Sequence, residues 1–187
     1  MPFPRRSLFA ALLALLGCAP KPVPPESLAI PVLAMESHGP VVYADATALC
    51  TTTERGQDHF GGMELLDARG GRYCVATAIA KAHDRAWILD LAGNAPVHMA
   101  LTLKPEGALT LAEAKRWIGA HISAHADYLD QLEGGRARAL KELQAEPSLD
   151  AIFARFAGPW SFQSVLAETQ RQADARAGVG PRPHPRP

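Results

Sequence analysis

The chain has 187 residues, of which 48% are hydrophobic and 20% charged, and its 19 basic side chains balance 19 acidic ones. This zero net charge argues against a protein that binds nucleic-acid phosphates, because such proteins concentrate lysine and arginine in a patch or stripe. Eleven of the 16 prolines fall in the first 31 and the last seven positions. We therefore expect one folded domain between two proline-rich ends.

The first 17 residues are typical of a processed export signal. Arg5 and Arg6 precede an apolar run from Leu8 to Leu16. That run is too short to span a bilayer, which requires about 20 apolar residues. Residues 1–17 are therefore predicted to be a signal peptide.

The apolar run ends in Leu-Leu-Gly-Cys at residues 15–18, and this motif resembles the lipobox of bacterial lipoproteins. The resemblance implies cleavage before Cys18 and acylation of its thiol and its new amino group. Several acyl chains, at about 0.8 kcal/mol per buried methylene, would hold the protein on a membrane almost irreversibly. Ala19 is not the aspartate that resembles an inner-membrane retention signal, so in a Gram-negative host the resemblance implies the periplasmic face of the outer membrane. The alternative is an ordinary secretory signal that is cut elsewhere.

Three regions are predicted after the signal peptide. Residues 18–40 contain six prolines, a composition typical of an extended, semi-rigid membrane tether. Residues 41–177 are predicted to form the globular domain. Residues 178–187 alternate proline with basic side chains and have no apolar period, which is typical of a disordered tail.

The first half of the predicted domain has the pattern of an antiparallel meander. Four apolar runs are separated by turn signals, at residues 61–68, 72–80, 85–92 and 97–103. Residues 41–49 are a candidate fifth strand. Alternation along the second run predicts that one bulky face is covered by the rest of the domain. That face carries Tyr73, Val75, Thr77 and Ile79.

The pattern becomes helical after Leu109. Thr110 followed by Glu113 is a capping-box signature, and the apolar positions after it predict an amphipathic helix that ends near residues 134–135. Further helices are predicted around Leu140, from Ser148, and over residues 162–176. Strands followed by helices predict an α+β domain, with a sheet of four to five strands and three to four helices packed on one face.

Two cysteines, Cys50 and Cys74, are left after Cys18. In an oxidising compartment this count predicts one disulfide, worth roughly 3 kcal/mol. The alternative is a thiol-dependent envelope hydrolase with Cys74 as nucleophile and His98 as its base, an arrangement that resembles papain-like cysteine hydrolases. A nucleophilic cysteine usually lies at a helix start, however, and Cys74 lies in a predicted strand. Two free thiols are the third possibility.

His121 and His125 are four residues apart, a spacing that brings two histidines together on one helix face and can hold zinc. Position 122 is isoleucine, so the general-base glutamate of a metalloprotease helix is missing. A third metal ligand would have to come from elsewhere in the chain. The candidates are His59, Glu64, His83 and His98. The alternative is a pair of partly buried histidines that hydrogen-bond to the sheet or to Tyr128.

The sequence contains no GxSxG elbow, no GxGxxG or phosphate-binding loop and no calcium loop. It therefore favours a non-enzymatic binding or accessory module, without a cofactor, that is held on the cell envelope through Cys18. We expect an envelope protein or component as its partner and no nucleic acid. A hydrolase that uses Cys74 and His98, and a periplasmic metal-binding protein that uses His121 and His125, are the two alternatives.

Overall fold

The computed structural model of the chain describes residues 21–53, 58–81 and 96–176, and it has the α+β architecture that the sequence predicts. Six antiparallel strands form one curled sheet in the order β2-β1-β4-β5-β6-β3. The strands are β1 (Val32–Glu36), β2 (Gly39–Tyr43), β3 (Thr51–Thr53), β4 (Glu64–Asp67), β5 (Gly71–Ala80) and β6 (Pro96–Ala108). The helices are α1 (Ala46–Leu49), α2 (Leu111–His125), α3 (Gly135–Ala145), α4 (Leu149–Ala157) and α5 (Phe162–Arg176), with 3₁₀ turns at Pro25–Ser27 and Asp127–Gln131.

The sheet has a hydrophobic core on each face, and β1 contributes to both. Leu33 and Met35 face the helix-side core, which they form with apolar residues of helices α2 to α5. Val32 and Ala34 face the inner core, around which the sheet curls. The other main members of the inner core are Leu28, Leu49, Phe60, Met63, Leu65, Val75, Val97, Met99, Leu101 and Leu103. Because a strand side chain alternates between the two faces, a strand between two cores must be apolar throughout.

The predicted boundary between tether and domain at residue 40 is wrong. Val23 forms an antiparallel bridge with Leu103 through hydrogen bonds of 2.8 and 2.9 Å. Pro25 and Leu28 are buried, and β1 lies inside the sheet between β2 and β4. From residue 21 onward, the prolines of this stretch lie outside the regular strands or on the edge strand β2, where a missing backbone donor is tolerated.

The buried carboxylate of Asp67 links the N-terminal segment to the turn between β4 and β5 through hydrogen bonds. Its oxygens accept hydrogen bonds from the backbone N–H groups of Ala29, Arg69 and Gly71, at 3.3, 3.0 and 2.7 Å. Asp67 is only 3% exposed. A buried carboxylate that accepts several backbone N–H groups is satisfied by the fold itself, so this residue has a structural role.

The candidate strand at residues 41–49 is only partly correct. Val41, Val42 and Tyr43 belong to β2, but the chain then turns and forms the short helix α1. Asp45 begins that helix as its N-cap and accepts a hydrogen bond of 2.7 Å from the backbone N–H of Ala48. The predicted strand at 85–92 lies outside the described residues, and β5 pairs directly with β6.

A β-bulge in β5 changes which side chains of this strand are covered. Val75 is opposite Leu103, but Thr77 is opposite Thr102, so one extra residue is inserted between Val75 and Thr77. Side chains beyond the bulge therefore point to the opposite face from the one that strict alternation gives. Ile79 is 65% exposed as a result.

The helices follow the sequence pattern closely, with one exception. The capping box is confirmed, because Thr110 Oγ1 accepts from the Glu113 N–H and the Glu113 carboxylate accepts from the Thr110 N–H. Helix α2, however, ends at His125, about two and a half turns before residues 134–135. The chain leaves the helix there because Tyr128 turns into the core and its hydroxyl donates to the Trp160 carbonyl at 2.9 Å. Within the described residues, none of the helices has both the length and the apolar character needed to cross a membrane.

We predict that a chain beginning at residue 41 does not fold, whereas a chain beginning at Lys21 does. The shorter chain lacks Val32, Leu33 and Met35, each worth about 1.5–3 kcal/mol of burial. Their sum is comparable with the 5–15 kcal/mol by which typical domains are stable. Urea unfolding followed by circular dichroism checks this. A cooperative transition in the chain that begins at residue 41 would show that β1 is dispensable.

Candidate functional site

The predicted Cys50–Cys74 disulfide is not formed, and both residues are free thiols. Tyr73 and Val75 pack toward the inner core, so Cys74 between them points to the other face of the sheet. Cys50 packs against the inner core itself. The sheet therefore separates the two sulfurs, which explains why this pair cannot form a disulfide. Burial raises the pKa of the Cys50 thiol.

Cys74 and His98 are not brought together. The residue opposite Cys74 on β6 is Lys104, six positions along the strand from His98, and six strand residues span about 20 Å. His98 Nδ1 lies instead 3.0 Å from the hydroxyl of Thr51. A base that activates a cysteine must be within hydrogen-bond reach of the sulfur, so this arrangement does not supply the predicted nucleophile and base.

His121 and His125 are neighbours, with ring centroids 4.7 Å apart. His121 Nε2 donates to the backbone carbonyl of Glu36 at 2.9 Å, and burial lowers the pKa of its imidazole. His125 is exposed, so it is not the partly buried histidine that the alternative interpretation predicts. The alternative interpretation, a partly buried histidine bonded to the sheet, is thus confirmed for His121.

The described ranges contain no group of three histidine, cysteine or acidic side chains that could hold a metal ion. His59, Glu64 and His98 all lie in those ranges. His83, the remaining candidate for a third ligand, lies outside the described residues, as does Cys18.

The described residues form a concave groove between the β1–β2 hairpin and the corner where α4 is followed by α5. This hairpin groove has a volume of about 390 Å³. It is lined by Glu36, His38, Gly39, Pro40, Val41, Val42, Tyr128, Phe156, Ala157, Ser161, Phe162 and Gln163. The lining is mostly apolar, with polar side chains from both the hairpin turn and the α4–α5 corner, which is the usual composition of a binding cleft.

Aromatic rings form the wall of the hairpin groove. Phe162 packs edge-on against Tyr128 at 5.4 Å and against His38 at 6.3 Å between centroids. Burial raises the pKa of Tyr128 to about 12. Gly39 has a φ of +127°, and a methyl group there would come within 2.8 Å of Tyr128 Cε1. The hairpin can approach this ring only because residue 39 is glycine.

The hairpin turn at one end of the groove is stabilised by hydrogen bonds within the hairpin and by one from helix α2. The Tyr43 hydroxyl donates to a carboxylate oxygen of Glu36 at 2.5 Å. Ser37 Oγ lies 2.6 Å from His38 Nδ1 within the turn between β1 and β2. The Glu36 carbonyl accepts from His121, so helix α2 is attached to the same end of β1.

A second depression, of about 290 Å³, lies between α3 and α5. Its charged side chains largely pair with one another: Arg155 contacts Glu142 at 3.3 Å and Glu146 at 2.7 Å. Arg138 contacts Glu142 at 2.7 Å. These ion pairs link α4 to α3 and leave little unpaired charge for a ligand.

Sequence reasoning missed the hairpin groove because half of it comes from residues 36–42, most of which were assigned to the tether. The one signal that points to it is Phe162. This residue and Leu166 lie on one face of α5 and remain 41% and 43% exposed. The predicted helix of residues 162–176 therefore carries an apolar face that the domain does not fully cover.

The chain was compared with models of known protein families, with curated proteins and with solved structures, and none of them matches it.

The lowered pKa of His121 predicts that the protein loses stability in mild acid. The unfolded chain binds a proton near pH 6.5 and the folded chain only at lower pH, so stability present above about pH 6.5 falls as the pH drops toward the folded value. The urea midpoint should therefore fall between about pH 7.5 and about pH 5. His121→Gln, which keeps a donor for the Glu36 carbonyl, should reduce this dependence. His125→Gln is the control on the same helix, and equal pH dependence in the wild type and His121→Gln would contradict the assignment.

Proposed function

We propose that this protein is a non-enzymatic binding module of the bacterial envelope, anchored by acyl chains on Cys18 and facing the periplasm. The Leu-Leu-Gly-Cys motif supports the anchor through its resemblance to a lipobox. The hairpin groove supports the binding role. In a Gram-negative host, the residue after Cys18 favours the outer membrane over the inner membrane.

The main support for the binding role is that Phe162 stays exposed in the aromatic wall of the hairpin groove. Its ring is held edge-on by Tyr128, yet 41% of the residue remains accessible. Aromatic side chains on a rigid support bury a large area and lose little conformational entropy when a partner covers them. Phe162 is therefore suited to anchor a partner.

The hairpin groove fits a short, extended segment of an envelope protein that presents an apolar side chain. Its volume of about 390 Å³ is near the lower end of the range for ligand sites. It also lies beside β2, an edge strand of the sheet, and an edge strand can pair with an extended peptide. Pro40 on this edge removes one backbone donor, so side-chain contacts with Phe162 and Tyr128 should contribute most of the affinity.

The two alternative functions receive less support. A thiol hydrolase would need Cys74 within reach of a base, and His98 is about six strand positions away. A metal-binding protein would need a third ligand beside His121 and His125, and the described residues supply none.

The anchor is tested by Cys18→Ser. We expect the native protein to sediment with membranes and to carry the mass of the acyl groups, since two or more chains make membrane binding effectively permanent. The variant should move to the soluble fraction. Mass spectrometry showing an unmodified Cys18, or a different amino terminus, would refute the anchor.

The groove is tested with a photoreactive amino acid at Gln163, which lines it, and at Ala167, one turn further along α5 and outside the lining. Position 163 should crosslink to a defined envelope partner and position 167 should not. Phe162→Ala should then weaken the affinity for that partner by about tenfold or more. Leu166→Ala, which removes an equally exposed apolar side chain, is the matched control. Equal effects of the two alanine variants would show that the groove is not the binding site.

A further inference from the structure

Helix α5 presents an apolar row that leads away from the hairpin groove. Phe162 lines the groove, and Leu166 lies one turn further along the same side of the helix. The two residues are 41% and 43% exposed, and they are two of the few large apolar residues that stay accessible. Residues 170–175 are exposed as well. The row is therefore open to a segment that lies along α5 and ends in the groove.

The chain that follows α5 is long enough to be that segment. Helix α5 has 15 residues and is therefore about 22 Å long. Residues 177–187 lie outside the described residues, and 11 residues in a polyproline II conformation would span about 34 Å. Gly178 and Gly180 come soon after the end of the helix, and glycine permits the left-handed backbone conformation with which a chain reverses there. The tail can thus return along α5 as far as Phe162.

The composition of the tail suits an aromatic groove. Residues 181–187 read Pro-Arg-Pro-His-Pro-Arg-Pro, so every second residue is a proline. Such a segment is preorganised toward the polyproline II conformation and loses little conformational entropy when it binds. Grooves that recognise these segments are lined by aromatic side chains. The hairpin groove meets this requirement with Tyr128 and Phe162.

We propose that residues 181–187 occupy the hairpin groove of their own chain when no envelope partner is bound, with their proline rings against Phe162. This inference rests on the proposed binding role of the groove and adds its regulation. A tethered segment competes at an effective concentration in the millimolar range, so even a weak contact keeps the groove occupied. An envelope partner must displace the tail, and its apparent affinity is lowered by the fraction of chains in which the groove is filled.

The contact is tested in the purified full-length protein with a small photoreactive diazirine amino acid at Gln163, which lines the groove. Ala100, which is exposed on β6, is the control position outside the groove. Arg182 and Arg186 are each followed by proline, so trypsin leaves residues 177–187 as one peptide. After illumination and digestion, mass spectrometry should find this peptide joined to position 163 in severalfold higher yield than to position 100.

The matched control is a chain with Pro181→Ala and Pro185→Ala, which keeps the length, the charge and the tryptic peptide of the tail but interrupts its proline repeat. The yield at position 163 should fall severalfold in this chain. Equal yields at positions 163 and 100, or a yield that the two alanines do not change, would overturn the inference. Crosslinks between isotopically labelled and unlabelled chains would place the tail in a second copy and would also overturn it. If position 163 crosslinks to an envelope partner but not to the tail, the inference fails and the proposed function stands.

Discussion

Val32, Leu33 and Ala34 are completely buried, and they lie in a strand with a hydrophobic core on each side. A strand in that position must pair along both edges as well, because its backbone N–H and C=O groups are shielded from water. β2 and β4 provide these pairings. The helix-side core, the inner core and the hairpin groove all include β1 or the turn that follows it, so the arrangement of the domain depends on this strand.

The incorporation of residues 23–36 into the sheet shortens the link through which the proposed anchor would hold the domain. A 23-residue spacer would let the domain sample a wide volume and any orientation. The bridge at Val23 and the bonds from Ala29 to Asp67 consume most of that spacer. A lipid on Cys18 would then hold the domain close to the membrane surface.

Much of the helical half could be predicted from sequence because its signals are local. The capping box at Thr110 and the helix at residues 162–176 depend on residues within a few positions of one another. The errors concern features that depend on distant contacts. The prolines around β1 favour the interpretation as a tether, although the unbroken apolar run of β1 is the pattern of a strand buried on both faces. The bulge after Val75 cannot be seen from alternation alone, and it reverses the side on which Ile79 lies.

The candidate site was harder to predict than the fold. Counting cysteines predicts a pair, but only the sheet reveals that Cys50 and Cys74 lie on opposite faces. The spacing of His121 and His125 correctly predicts neighbouring rings, yet the carbonyl of Glu36 that holds His121 is 85 positions away in the chain. The hairpin groove combines residues 36–42 with Tyr128 and Phe162, and no local pattern connects these segments.

The central claim is that the sheet begins at Val23 and leaves only a short link to Cys18. Native-state hydrogen exchange tests it most directly, because the Val23 N–H donates to Leu103 and the Leu103 N–H donates back. If the claim is correct, both amides exchange only through the opening that also exposes the amides of β1, with a similar free energy. Exchange of the Val23 amide at the rate of an unstructured peptide, while β1 stays protected, would contradict it.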